Sequence, residues 1–351
     1  MNRIKIWIFI FLSIFLSGMF IRGFGEEFGD DEIDNIIKKM VFAQGHYRYM
    51  GDIVIQSFLG EHPQIFRKKI WVDPPDRIRD ELIFPDKERS IIRILNGENF
   101  ERIMDEEHIF LERRRRFGTQ VPLLKRIKDN FNINIEDGGI IAERKTNLIA
   151  VKSKMKERLS FNYWIDKETG IILKKMVLRS DNGNLVPMYE KYFTHIDYKP
   201  PIKPDLFLIE KDKIKKMPFP KRETEEYKSL EQVRENIRFP LFTPTTIPEG
   251  YALDRIRVTR EMNNITIHLN YSNGITSFSI FQSMGPIPLF FRKIYQEQKK
   301  SRDEVIAVER ETHSIFFKKL GPFNLTLIGN CPKEILESVI VNIAPIKKSE
   351  N

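Results

Sequence analysis

The residues best suited to chemistry are Arg113, Arg114, Arg115 and Arg116, an unbroken run of guanidinium groups. Guanidinium forks match carboxylates and phosphates, so this run could hold lipid head groups or an acidic peptide; a solvated loop between a strand and a helix reads equally from the same residues. Just upstream, Asp105, Glu106 and Glu107 could bind a cation or act as an acid/base pair. Nothing in the neighbouring sequence buries them, so a solvated hairpin tip is the plainer reading. The histidines at His46, His62, His108, His195, His268 and His313 lie far apart and lack metal-ligand spacing, so no metal site is expected. Cys331 is the single cysteine, which excludes an intramolecular disulfide. Its place before Pro332 at a helix start could lower a thiol pKa, but no partner is identifiable and a structural role is expected. The chain has no Gly-x-Ser-x-Gly elbow, phosphate-binding loop, dinucleotide-binding glycine run or His-Glu-x-x-His helix. The expectation is therefore a binding protein rather than an enzyme, with no catalytic residues and no cofactor.

These residues must be positioned by the elements around them. Asp30 and Asp31 can cap a helix whose apolar stripe is Ile33, Ile36, Ile37, Met40 and Val41. From His46 to Leu111 the pattern changes to strands, over 52–58, 65–72, 78–84, 90–95 and 98–104, with Asn96-Gly97 as a hairpin signal. A helix capped by Thr119 and carrying Leu123, Leu124, Ile127 and Phe131 interrupts the strands, which resume over 133–136, 139–144, 148–152, 159–165, 171–179 and 186–196. The fold class expected is α+β: a large curved antiparallel sheet packed on helices over 26–198, then a smaller α+β domain over 223–345. Between them, 199–222 reads as a linker with prolines at 200, 201, 204, 218 and 220. In the second domain a helix is expected over 224–236, strands over 253–260, 265–271, 276–283, 314–319 and 324–328, and a closing helix with Ile335, Leu336, Val339, Ile340 and Ile343 on its apolar side. On the first sheet Ile53, Ile55, Phe58, Ile70 and Val72 could line a lipid cavity. Packing against the first helix would use the same residues.

Residues 1–25 bear on location. Asn2, Arg3 and Lys5 precede a mostly apolar run from Ile6 to Ile21, the pattern of a secretory signal peptide, with Gly23 and Gly25 before Glu26 as a cleavage site. The run is short for a spanning helix, although an uncleaved anchor is the alternative. An exported protein, on the outer side of the cytoplasmic membrane or periplasmic, is expected. The net charge of +9 alone would admit nucleic acid, an anionic membrane or an acidic protein, and export removes nucleic acid.

Ile70-Trp71-Val72-Asp73-Pro74-Pro75-Asp76-Arg77-Ile78-Arg79, Ile94-Leu95-Asn96-Gly97 and Tyr163-Trp164-Ile165-Asp166 with Thr169-Gly170 resemble strands of the lipoprotein-carrier-like (LolA-like) fold. Ile247-Pro248-Glu249-Gly250-Tyr251, the run from Ile267 to Ile275, Phe278-Ser279-Ile280-Phe281 and Leu325 to Pro332 resemble the C-terminal domain of the MucB/RseB family of sigma-E regulators. The resemblance implies a half-open β-barrel able to hold an acyl chain, and a small domain contacting the extracytoplasmic part of a transmembrane anti-sigma factor. Binding there would shield that factor from proteolysis until a lipid-like signal releases it. A periplasmic lipid or lipoprotein carrier is the alternative.

Overall fold

The computed structural model describes residues 32–346 apart from 59–61, 85–89, 97–98, 105–107, 114–122, 157, 209–221, 262–263, 285–304 and 310–312. The chain divides into two compact units, a larger one within 19–118 and 131–218 and a smaller one that joins 119–130 to 219–351.

The larger unit opens with α1 (Glu32–His46), in which Ala43 is fully buried. Two meanders of β-branched and aromatic residues follow. The first is β1 (Tyr49–Ser57), β2 (Gln64–Asp73), β3 (Arg77–Ile83), β4 (Ser90–Asn96), β5 (Asn99–Met104) and β6 (His108–Arg113). The second is β7 (Phe131–Ile141), β8 (Arg144–Ser153), β9 (Ser160–Asp166), β10 (Ile172–Asp181) and β11 (Asn184–Asp197). Pairing of β1 with β11 joins them into one eleven-stranded antiparallel sheet, in the order β6-β5-β4-β3-β2-β1-β11-β10-β9-β8-β7. Because β6 and β7 end that order without pairing to each other, the sheet is open rather than a closed barrel. Alternation is plain on β2, where Phe66, Lys68, Ile70 and Val72 are buried and the residues between them are more accessible. On the other face of β3 and β4, the turn Pro204–Phe207 is held by a bond from Arg79 Nη1 to the Leu206 carbonyl (3.0 Å), with Arg77 over the Phe207 ring (5.4 Å). Ile94 and Phe207 are each only 1% exposed, so the proline-rich stretch is packed as far as Phe207, while 209–221 lies outside the described residues.

The smaller unit contains α2 (Leu123–Asn130), β12 (Arg222–Tyr227), α3 (Leu230–Asn236), β13 (Phe242–Pro244), β14 (Ala252–Glu261), β15 (Asn264–Ser272), β16 (Ser277–Ser283), β17 (Val305–Glu309), β18 (Ser314–Leu320), β19 (Phe323–Gly329), α4 (Lys333–Val341) and β20 (Ile343–Pro345). Its sheet runs β12-β14-β15-β16-β19-β18-β17, with β13 and β20 paired separately. Val258, Ile267, Leu269, Ile280 and Leu327 from the sheet, Val233 from α3 and Leu336 from α4 share its core. Here α2 is docked by polar bonds: Asn130 Nδ2 donates to the Gly250 and Asn273 carbonyls (3.0 Å each), and Arg126 Nη1 to the Ser272 carbonyl (3.2 Å). Gly274, at φ 103°, lies so close that a Cβ there would meet Ile127 Cγ1 at 2.8 Å.

Several elements differ from the sequence reading, among them Phe131, which opens β7 instead of closing the helix before it, and the unexpected strands β6, β13, β17 and β20. The expected helix over 224–236 is a strand through Tyr227 and a helix only from Leu230, with Ser229 as its N-cap accepting from the Gln232 amide (3.3 Å). The alternation Glu223, Glu225, Tyr227 fits an edge strand whose acids meet the arginines of β14; Glu225 pairs with Arg260 (2.6 Å) and Glu226 with Arg257 (2.8 Å). Asp137-Gly138-Gly139 is not a turn between two strands. It is a bulge within the single strand β7, and the chain reverses instead at Ala142 and Glu143, both at positive φ (48° and 64°).

Candidate functional site

Cross-strand register assembles one buried face of the large sheet. Ile53 lies opposite Lys68 and Ile55 opposite Phe66 between β1 and β2, so Ile53, Ile55, Phe66, Lys68, Ile70 and Val72 share that face. All are buried, with Ile53 only 1% exposed. Of the residues read as cavity candidates, Ile53, Ile55, Ile70 and Val72 thus come together. Phe58 does not: it falls one residue beyond β1, partly buried, its amide donating to the Met188 carbonyl (2.9 Å). The row continues across β1, β11, β10, β9, β8 and β7 as Ile55, Lys191, Lys175, Tyr163, Ile149 and Ile135, each opposite the next, with Ile55 and Ile149 buried and the other four partly accessible.

Charges are set into this apolar surface. Asp80 and Arg93 face each other across β3 and β4, and Arg93 donates twice to the carboxylate (Nε to Oδ1 and Nη2 to Oδ2, both 2.6 Å). Lys68 Nζ reaches Asp80 Oδ2 at 3.0 Å, and all three side chains are under a tenth exposed. Burial pushes the Lys68 ammonium down to about 7, against the attraction of Asp80 and with the repulsion of Arg93 and Lys191. Burial alone would raise the Asp80 carboxyl, but Arg93 and Lys68 hold it below its ordinary value.

Lys175 and Lys191 lie directly opposite each other on β10 and β11. Burial is the leading cause that lowers both, Lys175 to about 8, and each repels a cation nearby: Lys175 feels Lys191, and Lys191 feels Arg93. Lys175 Nζ stands 5.4 Å from the ring centroids of both Phe161 and Tyr163. The opposite face of the same strands is conventional, with Lys174 paired to Glu190 at 3.0 Å.

Other candidates do not join this set. Arg113 ends β6, and Arg114, Arg115 and Arg116 lie outside the described residues, as do Asp105, Glu106 and Glu107 and the apolar leader. An open groove of about 380 Å³, lined by Trp71, Pro201, Lys203, Asp205 and Leu206, lies at the packed proline-rich stretch. Among the described residues no group of three or more His, Cys, Asp or Glu side chains is placed to hold a metal ion, and no helix is long and apolar enough to cross a membrane. Cys331 is buried in the core of the smaller unit.

The sequence profile described as the MucB/RseB N-terminal domain matches residues 33–209. This chain belongs to the MucB/RseB family. Among solved structures the fold is similar to MucB in complex with MucA(peri), at 14% identity and a TM-score of 0.56, covering 90% of this chain and 99% of that one. The complex of MucA and MucB from Pseudomonas aeruginosa gives the same values, and MucB alone gives 15% identity and a TM-score of 0.52 over 91% and 100% of the two chains. No curated protein matches the sequence.

Within this MucB/RseB chain, the Trp164-Ile165-Asp166 and Thr169-Gly170 motif builds a turn rather than a ligand site. The Asp166 carboxylate accepts from Arg144 Nε (2.9 Å), the Tyr198 hydroxyl (2.8 Å) and the Glu168 amide (2.8 Å). Burial would raise its pKa, and these bonds hold it below the ordinary carboxylate range. Gly170, at φ 82°, passes the backbone of α1, where a Cβ would meet the Lys39 carbonyl at 2.7 Å. The sequence reading missed Lys68, Asp80, Arg93, Lys175 and Lys191. A signal for them existed: each stands two residues from apolar neighbours, as Lys68 between Phe66 and Ile70 or Lys191 between Tyr189 and Phe193, and so shares their face.

Proposed function

We propose that this protein is an exported regulator that binds the extracytoplasmic part of a transmembrane anti-sigma factor and shields it from proteolysis until a lipid enters the larger unit. The supporting observation is the family match joined to a fold shared over nearly the whole chain with MucB, a protein crystallised with MucA(peri). In this reading Ile53, Ile55, Ile70 and Val72, without Phe58, belong to the acyl-chain site, and Arg113, Arg114, Arg115 and Arg116 offer forks to the partner's carboxylates or a lipid head group. A basic chain of net charge +9 also suits an acidic partner segment.

The test is a pull-down of the chain from Glu26 onward out of detergent-solubilised membranes of its host, with bound proteins and lipids identified by mass spectrometry. It is followed by digestion of the recovered partner with and without the regulator. A single-span anti-sigma factor that is cleaved more slowly in the complex is the expected result. Lipids or lipoproteins without such a partner would replace this reading with a carrier.

A further inference from the structure

We propose that α2 is a releasable strap: it latches the loops around Gly250 and Asn273 of the smaller unit, and loosening of the large sheet at β7 lets it go. The proposal goes beyond the regulator reading and does not depend on it. In sequence α2 lies between β6 and β7, the strands at the two ends of the large sheet, yet it belongs to the smaller unit.

Three observations support it. First, the chain has no slack where α2 ends. Asn130, its last residue, is 8% exposed and donates through Nδ2 to the Gly250 and Asn273 carbonyls (3.0 Å each). The next residue, Phe131, opens β7, is 2% exposed and stands edge-on to the Phe161 ring of β9, with centroids 6.4 Å apart. Consecutive Cα atoms are only about 3.8 Å apart across a trans peptide, so β7 cannot move without pulling on Asn130. Second, α2 is a helix only while it is docked. Its eight residues fall below the about 12–15 at which an isolated helix is even marginal in water. Of its side chains whose exposure is described, only that of Asn130 is buried, and the helix is held besides by the Arg126 bonds to the Ser272 carbonyl (3.2 Å) and Asp254 Oδ1 (3.4 Å) and by the close approach of Ile127 to Gly274. Polar docking with little apolar burial marks an element that opens at low free energy. Third, the loops that receive α2 are tied to one another and to the core. Asn273 Oδ1 accepts from the Ile275 and Thr276 amides (3.0 and 2.8 Å), Ser272 Oγ accepts from the Gly274 amide (3.0 Å), and Thr276 Oγ1 lies 2.6 Å from the Tyr251 hydroxyl. Tyr251 packs in turn on Phe278 of the core, with ring centroids 5.3 Å apart. Release of α2 strips a donor from the carbonyls of Gly250, Ser272 and Asn273 at once, so these loops loosen with it.

The experiment is native-state amide hydrogen exchange on the full chain, followed by mass spectrometry. Phe161→Leu weakens the ring contact that holds Phe131 without touching α2. It should speed exchange about ten-fold or more in α2 and in residues 250–254 and 272–276, while β18 of the same unit keeps its rate. With Arg126→Ala and Asn130→Ala together those loops should already exchange fast, and adding Phe161→Leu should change them by less than about two-fold. Lys125→Ala, which removes only an exposed pair with Asp129 (2.9 Å), should leave them at the wild-type rate. If the double variant does not fold, the comparison of Phe161→Leu with wild type, loops against β18, still decides. Unchanged loops in a Phe161→Leu protein whose β7 and β9 amides exchange faster overturn the proposal. So does acceleration spread evenly over the smaller unit, or an equal gain with and without the Arg126 and Asn130 side chains. No partner or ligand enters the measurement, so its failure and that of the regulator reading are separate results.

Discussion

Asp80 shows how much one carboxylate can hold. It is the shared acceptor of Arg93 and Lys68 at 2.6 and 3.0 Å, and all three groups are nearly inaccessible to water. Breaking a buried ion pair by removing one partner leaves the other charge without compensation, at a typical cost of about 3–5 kcal/mol. Asp80→Ala removes the acceptor that Arg93 and Lys68 share and should fall within that range, measured by urea unfolding. Replacing all three, by Asp80→Leu with Arg93→Met and Lys68→Met, removes the charges together and should recover most of the loss, because buried ion pairs exchanged for packed apolar groups are often neutral. A mild loss in Asp80→Ala would mean that water reaches the cluster.

At the scale of elements, the β7–β8 hairpin is built against its own sequence. Its reversal falls on Ala142 and Glu143 at φ 48° and 64°, positions where a Cβ is disfavoured and Asn-Gly is the preferred pair. Ala142→Asn with Glu143→Gly should therefore stabilise the protein by about 1 kcal/mol, seen as a rise in Tm. An unchanged or lower Tm would show that the turn is not strained. This hairpin also shows why part of the fold escaped the sequence. The strands were legible because alternation and β-branched residues mark them locally. The reversal was not, since Asp137-Gly138-Gly139 has turn chemistry but is used as a bulge, where a Cβ on Gly138 would meet Thr146 Oγ1 at 2.4 Å. Residues 222–227 were misread for a related reason: Glu-rich segments favour helix locally, and only the arginines of β14 make them a strand. For the site, Ile53, Ile55, Ile70 and Val72 were legible as apolar strand positions. The lysines were not, because a charged residue in phase with an apolar face is ordinarily assigned to the surface, and only cross-strand register reveals five such charges on one side.

For the molecule as a whole, these buried charges set how stability follows pH. The depressed lysines are Lys68 at about 7, Lys175 at about 8 and Lys191, faced by Asp80 of β3, Arg93 of β4, Tyr163 of β9 and Tyr189 of β11. In the unfolded chain a lysine titrates near 10.4, so between about pH 7 and that value the unfolded state binds more protons than the folded one. Stability then rises with pH across this window, the penalty being complete below the folded values and gone above the unfolded one. Two other groups bound the curve. Tyr49, Tyr163 and Tyr189 have phenols raised by burial, so their contribution is complete below about pH 10 and declines above it as the unfolded phenols ionise. Asp80 and Asp166 are held below the ordinary carboxylate value, so their contribution is present above about pH 4 and lost in acid. Urea unfolding at unit steps from pH 6 to 11 should give stability that climbs from pH 7, peaks between about 9 and 10, and then falls, instead of the plateau between about 5 and 8 usual for small proteins. The Lys175→Met, Lys191→Met variant should lose much of the climb by becoming more stable at pH 7, since it removes two ammonium groups that face each other across β10 and β11. A wild-type profile already at its maximum at pH 7 would mean that these ammonium groups are solvated.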